Sequence, residues 1–152
     1  MDKKEILRNS YIFGSLTAKE IDAVAAISEE KKYKAASVIF KEGEKAEKLY
    51  LLVSGKVSIE MDVSSKEKVS VMTEAKPGGE FGWSALIDPH MHVVSARAAV
   101  DSTILCVDTK ALDNLIAKDY YMGYVIMRGV AKLSAESTRN ARLQLIHTHY
   151  GA

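Results

Sequence analysis

Cysteine is all but missing from this chain: Cys106 stands alone among 152 residues, which excludes a disulfide framework and any site built from several thiolates. It sits in the apolar run Ile104-Leu105-Cys106-Val107, where a thiol packs as a small hydrophobe, and a single cysteine of this kind fits a reducing cytosol. An excess of either charge is missing too. Lys and Arg number 21 against 20 Asp and Glu, a formal charge of +1, so nothing draws the whole molecule toward nucleic acid or an anionic membrane. Long apolar runs are also lacking. The first ten residues, MDKKEILRNS, have no signal-peptide core, and no later stretch is long enough to span a bilayer, so a cytoplasmic protein is expected. With 47% hydrophobic and 27% charged residues over this length, the sequence is that of one globular domain able to bury a core unaided.

Thr17-Ala-Lys-Glu20 reads as a capping box, and Ile21, Val24, Ala25 and Ile27 follow at helical spacing, predicting a helix to about Glu29. From Tyr33 to Asp108 the pattern becomes short β-prone runs: 37–40, 49–53, 56–62, 68–75 and two more after Val93. Gly43, Gly55, Pro77, Gly78 and Gly79 punctuate them. Short strands with glycine turns and no intervening helices predict a mainly β fold, an antiparallel jelly-roll β-barrel. Helices return after Asp108, with a short one over 110–117 and a long one from Asp119 to about His147. The chain thus divides into N-terminal helices (1–32), barrel (33–108) and closing helices (109–150). On the long helix Tyr120, Tyr124, Met127, Ala131, Ser134, Thr138, Ala141 and Leu145 alternate by four and three, a coiled-coil seam, and Ile126, Val130 and Leu133 form a second apolar face. A homodimer through Tyr124, Met127, Ala131, Ser134 and Thr138 is one reading; a single broad core-facing stripe is the other.

The order of elements, with LRNSYIFGSLTAKEI at 7–21 and SVIFKEGEKAEKLYLLVSGKVSI at 37–59, resembles the cyclic-nucleotide-binding domain. That domain is shared by catabolite-activator regulators, the regulatory subunits of protein kinase A and nucleotide-gated channels. The resemblance implies a stand-alone regulatory domain with a phosphate-binding cassette at Gly79-Glu80-Phe81-Gly82-Trp83-Ser84-Ala85-Leu86-Ile87, continuing to Arg97. The implied ligand-binding residues are Gly82, Trp83, Ser84, Ala85, Leu86, His92 and Val93. Against the kinase-type pattern F-G-E-L-A-L, with an arginine nine positions after the glutamate, Phe81, Gly82, Ala85 and Leu86 match. Trp83 stands where the ribose glutamate belongs and His92 where the phosphate arginine belongs. The amides of Ala85 and Leu86 are expected to point at an anion. Arg97, five residues past His92, is expected on the opposite strand face, outside the pocket.

The reading that follows is a small-ligand-sensing module that binds cyclic AMP or GMP weakly, with an unidentified small anion or nucleotide-like molecule as candidate ligand. A ligand-free dimerisation or partner-docking domain, in which Trp83 fills the pocket, is the alternative. A second alternative is the effector domain of a catabolite-activator-type regulator without its DNA-binding part, since nothing after Gly151 makes room for a helix-turn-helix and no direct nucleic-acid contact is expected. The pair His90-x-His92 puts two imidazoles on one face if that segment is a strand, but without a third ligand neither a metal nor haem is expected. No nucleophile–base pair or carboxylate dyad is legible, so no enzyme activity is expected.

Overall fold

The run from Leu49 to Leu52 and its counterpart from Ile104 to Val107 are buried on both faces, and this sets the layering. Side chains alternate across a strand, so Leu49, Leu51, Leu105 and Val107 point one way into a cluster with helical residues, while Tyr50, Leu52, Ile104 and Cys106 point the other way toward a second sheet. The register pairs like with like: Leu49 lies opposite Val107, Tyr50 opposite Cys106, Leu51 opposite Leu105. Each fully buried aliphatic side chain contributes about 1.5–3 kcal/mol, so this double-faced pair anchors the domain.

A computed structural model describes residues 2–151. Its elements are α1 (Lys3–Arg8), α2 (Ala18–Ala26), β1 (Ser28–Tyr33), β2 (Val38–Phe40), β3 (Lys48–Ser54), β4 (Val57–Ser64), β5 (Glu67–Glu74), β6 (Glu80–Phe81), a 3-10 turn (Trp83–Leu86), β7 (Ser95–Ala98), β8 (Ser102–Asp108), α3 (Thr109–Lys118) and α4 (Tyr120–Tyr150). Two antiparallel four-stranded sheets, ordered β1-β8-β3-β6 and β2-β7-β4-β5, form the expected jelly roll, with helices before and after it.

The capping box is present: the Glu20 amide donates to Thr17 Oγ1 at 3.3 Å, and the Thr17 amide to Glu20 Oε2 at 2.8 Å. The helix it starts is shorter than expected. It ends at Ala26, and residues expected as its last turn belong to β1, inside the span 1–32 expected to be helical. The Ser28 hydroxyl donates to the Val24 carbonyl at 2.6 Å, satisfying the helix end, and Ser28 to Tyr33 then pair along β8. Six backbone partners offered by β8 outweigh the helical tendency of SEEKKY, a segment with no apolar periodicity to hold it on a helix.

The long helix α4 is capped by Asp119, whose Oδ1 accepts from the Met122 amide at 3.1 Å. Its face with Met122, Ile126 and Val130 packs on the helical cluster. No helix among the described residues is long and apolar enough to cross a membrane.

Candidate functional site

The site begins at β6, which pairs with β3 through Leu51 opposite Glu80 and Tyr50 opposite Phe81. Gly82 follows with φ of 75°, and a Cβ there would lie 2.8 Å from Cδ2 of Tyr50. Only glycine meets both demands, a left-handed backbone and close approach to an aromatic edge. The chain then winds into the 3-10 turn.

Glu80, to which the sequence reading gave no role, is the most buried charged group of the segment, 2% exposed. Its Oε1 accepts from the Ile12 amide at 2.8 Å, and the Ser10 hydroxyl and Tyr11 amide also favour its charged form. Burial outweighs them and raises its pKa above the usual carboxylate value. Glu80 therefore fastens the cassette strand to the 10–12 loop and does not face a ligand. Its position between Gly79 and a buried phenylalanine was the only available signal.

A cleft of about 660 Å³ opens between β4–β5, the turn, the 92–94 segment and the second half of α4. Ile59, Met61, Val71, Met72, Phe81 and Trp83 give it apolar walls; Asn140, Gln144, His147 and Ser137 reach in from α4. No Lys, Arg, Asp or Glu lines it. Of the seven expected cassette residues, Gly82, Trp83, Ser84, His92 and Val93 line this cleft. Ala85 and Leu86 do not: Ala85 is buried, Leu86 packs on the helical cluster, and the Ala85 amide donates to the Gly82 carbonyl at 3.2 Å. A 3-10 turn closes its hydrogen bonds one residue sooner than an α-helix and consumes that donor. The expectation that the Ala85 amide points at an anion is thereby corrected.

His92 is 4% exposed and lies flat on Phe40, with centroids 3.7 Å apart and planes 8° from parallel. Its backbone is clamped, the amide donating to the Glu44 carbonyl at 2.9 Å and the carbonyl accepting from the Gly43 amide at 2.8 Å. Burial holds its pKa below the ordinary imidazole value, Glu44 opposing only in part, so the ring is neutral at pH 7. No hydrogen bond to the ring forms among the described residues, no buried side-chain nitrogen or oxygen among them lacks a partner, and His92 lines the cleft.

His90 diverges from it. Residues 88–90 form a turn, His90 has φ of 56°, and its ring rests 3.0 Å from the Ala85 carbonyl and 3.1 Å from Asp88 Oδ1. The expected shared strand face does not exist, and no group of three or more His, Cys, Asp or Glu among the described residues could hold a metal. Arg97 lies outside the cleft as expected, on Glu60 Oε1 at 3.3 Å and the Ala36 carbonyl at 2.8 Å.

On α4 the residues of the expected seam are exposed: Tyr124 by 55%, Met127 by 39%, with Ala131, Ser134 and Thr138 also open. Ile126 and Val130, the second face, are buried against the domain. Ala141, placed on the seam by spacing, lines the cleft instead. Gln144 Nε2 donates to the Val71 carbonyl at 3.2 Å, joining the far half of the helix to β5.

A double-faced jelly roll closed by a long helix, with a cleft beside a β6–turn cassette, is the architecture of a regulatory cyclic nucleotide-binding-type domain. The sequence model of the cyclic nucleotide-binding domain matches residues 30–119, more than half the chain, and the chain belongs to that family. A CRP-like cAMP-activated global transcriptional regulator of Mycobacterium tuberculosis is 26% identical over 144 residues, covering 95% of this chain and 63% of the regulator, so the chain spans under two thirds of that relative's length. Among solved structures, a Geobacter metallireducens chain provisionally named a cyclic nucleotide-binding protein shares 33% identity at a TM-score of 0.78, covering 91% of this chain and 99% of the other. The Thermus thermophilus catabolite activator protein shares 26% identity at a TM-score of 0.74, covering 93% and 64%.

Proposed function

We propose that this domain is a regulatory sensor of a small, uncharged and largely apolar ligand, and that it is neither an enzyme nor a tight binder of cyclic nucleotides. The carrying observation is the cleft itself: about 660 Å³ with no charged side chain on its walls and a neutral, stacked histidine at its base. A cyclic phosphate buried there would keep its charge without a cation, a costly arrangement. A ligand with a flat apolar body and one or two hydrogen-bonding groups fits Trp83, the aliphatic walls and the amides and imidazoles of Asn140, Gln144, His92 and His147.

The position of the family's ribose glutamate holds Trp83 and that of its phosphate arginine holds His92. Losing a charge-assisted bond costs about 1.5–3 kcal/mol, and losing one member of a buried clamp about 2–5 kcal/mol. Crediting Trp83 and His92 with some recovery leaves a deficit of roughly 3–6 kcal/mol, or two to four orders of magnitude in affinity. Calorimetry at neutral pH is therefore expected to show no submicromolar binding of cyclic AMP or cyclic GMP, and Trp83→Glu with His92→Arg to restore measurable affinity. Submicromolar cyclic AMP binding by the unaltered protein would overturn the reading.

The exposed seam on α4 supports a second element, a homodimer through Tyr124, Met127, Ala131, Ser134 and Thr138. Small residues in the middle of the seam permit close helix approach, and the opposite face is already committed to the domain core. Light scattering at micromolar concentration should return twice the chain mass, and Ala131→Glu should return the single mass; a monomeric unaltered protein contradicts the assembly.

A further inference from the structure

A second cleft, of about 590 Å³, lies on another side of α4, between its first half and the 8–15 segment. Arg8, Arg128 and Lys132 converge on it with Ser15 and Tyr121, and no carboxylate is among its lining residues. None of the three cations forms an ion pair among the described residues. The nearest acid along the helix, Glu136, makes no ion pair among the described residues and lies near Tyr11, whose phenol pKa it raises. Lys132 Nζ hangs 4.8 Å from the centre of the Tyr11 ring, and the Arg128 guanidinium 5.6 Å from that of Tyr124. Aromatic faces orient these cations without neutralising them.

Two features make this a built recess and not a scatter of surface lysines. The first is rigidity: α4 crosses the 8–15 segment at Gly129, where a Cβ would lie 2.4 Å from the Tyr11 carbonyl oxygen, so the two walls meet backbone to backbone. The second is placement. At about 3.6 residues per turn, positions 121, 125, 128 and 132 form one stripe, distinct both from the buried stripe at 122, 126 and 130 and from the exposed seam at 124, 127, 131 and 134. Arg128 and Lys132, four apart on one helix face, repel each other, and an anion between them relieves that repulsion.

We propose that this recess binds a small polyanion, a compound carrying a pyrophosphate or an equivalent cluster of phosphoryl oxygens, at a site separate from the neutral cleft. Planar guanidinium groups match phosphoryl oxygens in pairs, and three cations around a concave surface favour more than one negative charge. A recess of about 590 Å³ between two chain segments suits a compact molecule and not a polymer.

The test uses inorganic pyrophosphate as probe, with sodium chloride at matched ionic strength as reference, read by thermal shift and calorimetry. A saturable rise in melting temperature beyond the salt reference is expected, with affinity falling roughly tenfold or more in Arg128→Glu/Lys132→Glu. Both side chains are exposed, so the double variant should fold, and Arg8→Ala supplies an independent weakening from the other wall. His92→Phe should bind pyrophosphate unchanged. Equal responses to salt and pyrophosphate, retained affinity in the double variant, or loss of binding in His92→Phe would each overturn the assignment, the last by placing the anion in the other cleft.

Discussion

The two halves of α4 are built differently although they form one unbroken helix. From Tyr120 to Leu133 it buries Met122, Gly123, Ile126, Gly129 and Val130; from Ser134 to Tyr150 it buries no residue. The first half is part of the core. The second lies across the neutral cleft, joined to the barrel among the described residues by one hydrogen bond, from Gln144 to Val71. Local opening is cheapest where few apolar contacts must break, so the half that lines the cleft is also the half that moves at least cost. On the proposed sensor reading, a ligand in the cleft would bias the attitude of the distal helix through residues such as Asn140 and Gln144.

The largest effect should separate the two halves directly. Ile126→Ala removes a fully buried side chain and is expected to cost about 2–5 kcal/mol, whereas Leu145→Ala, 59% exposed, should stay within about 0.5 kcal/mol. Urea denaturation measures both; comparable losses would erase the distinction between anchor and lid. Next comes the fastening beneath the anchored half. Glu80→Leu strips the acceptor from the Ile12 amide and leaves that donor buried, a loss of about 1–3 kcal/mol by the same method. Because α4 packs on residues 11 and 12 at Gly129, this change should also speed hydrogen exchange in the first half of the helix more than in the second.

The smallest effect concerns pH and the cleft. The folded-state pKa of His92 is lowered, so its contribution to stability is complete above about 6.5, the unfolded value, and is lost as pH falls toward the folded one. Glu80 has the opposite sign: its pKa is raised, and its contribution is complete below the unfolded value and is lost as pH rises through the folded one. Comparing the unaltered protein with His92→Phe cancels the Glu80 contribution. The variant keeps the stack on Phe40 and should lose stability less steeply between pH 7 and pH 5; parallel profiles would show that His92 is not held neutral.

What could be read from the chain tracked the range of the interactions responsible. The Thr17–Glu20 box and the strands of β3 and β8 declare themselves within a few residues, and the Phe81-Gly82 frame placed the turn because glycine was needed locally. β1 did not declare itself, since its strand conformation is imposed by partners some 70 to 80 positions away, as Ser28 opposite Val107 shows. Ala85 is buried and Leu86 packs on the helical cluster, placements that depend on a helical layer no local pattern specifies. The part played by Asn140, Gln144 and His147 was out of reach for the same reason: the course of α4 over the barrel is set by packing at Gly129 and Ile126, about three to six turns earlier.

β1 forms the outer edge of its sheet, with β8 as its only neighbour. An uncovered strand edge invites a foreign strand to add to the ladder, the first step toward aggregation. Here that edge carries Glu29, Glu30, Lys31 and Lys32, with Lys31 Nζ 3.7 Å from Glu29 Oε2, so an incoming strand would have to strip water from four charged side chains before its backbone could pair. The composition that disguised the strand is thus its protection, guarding one of the open edges of the barrel against a foreign strand.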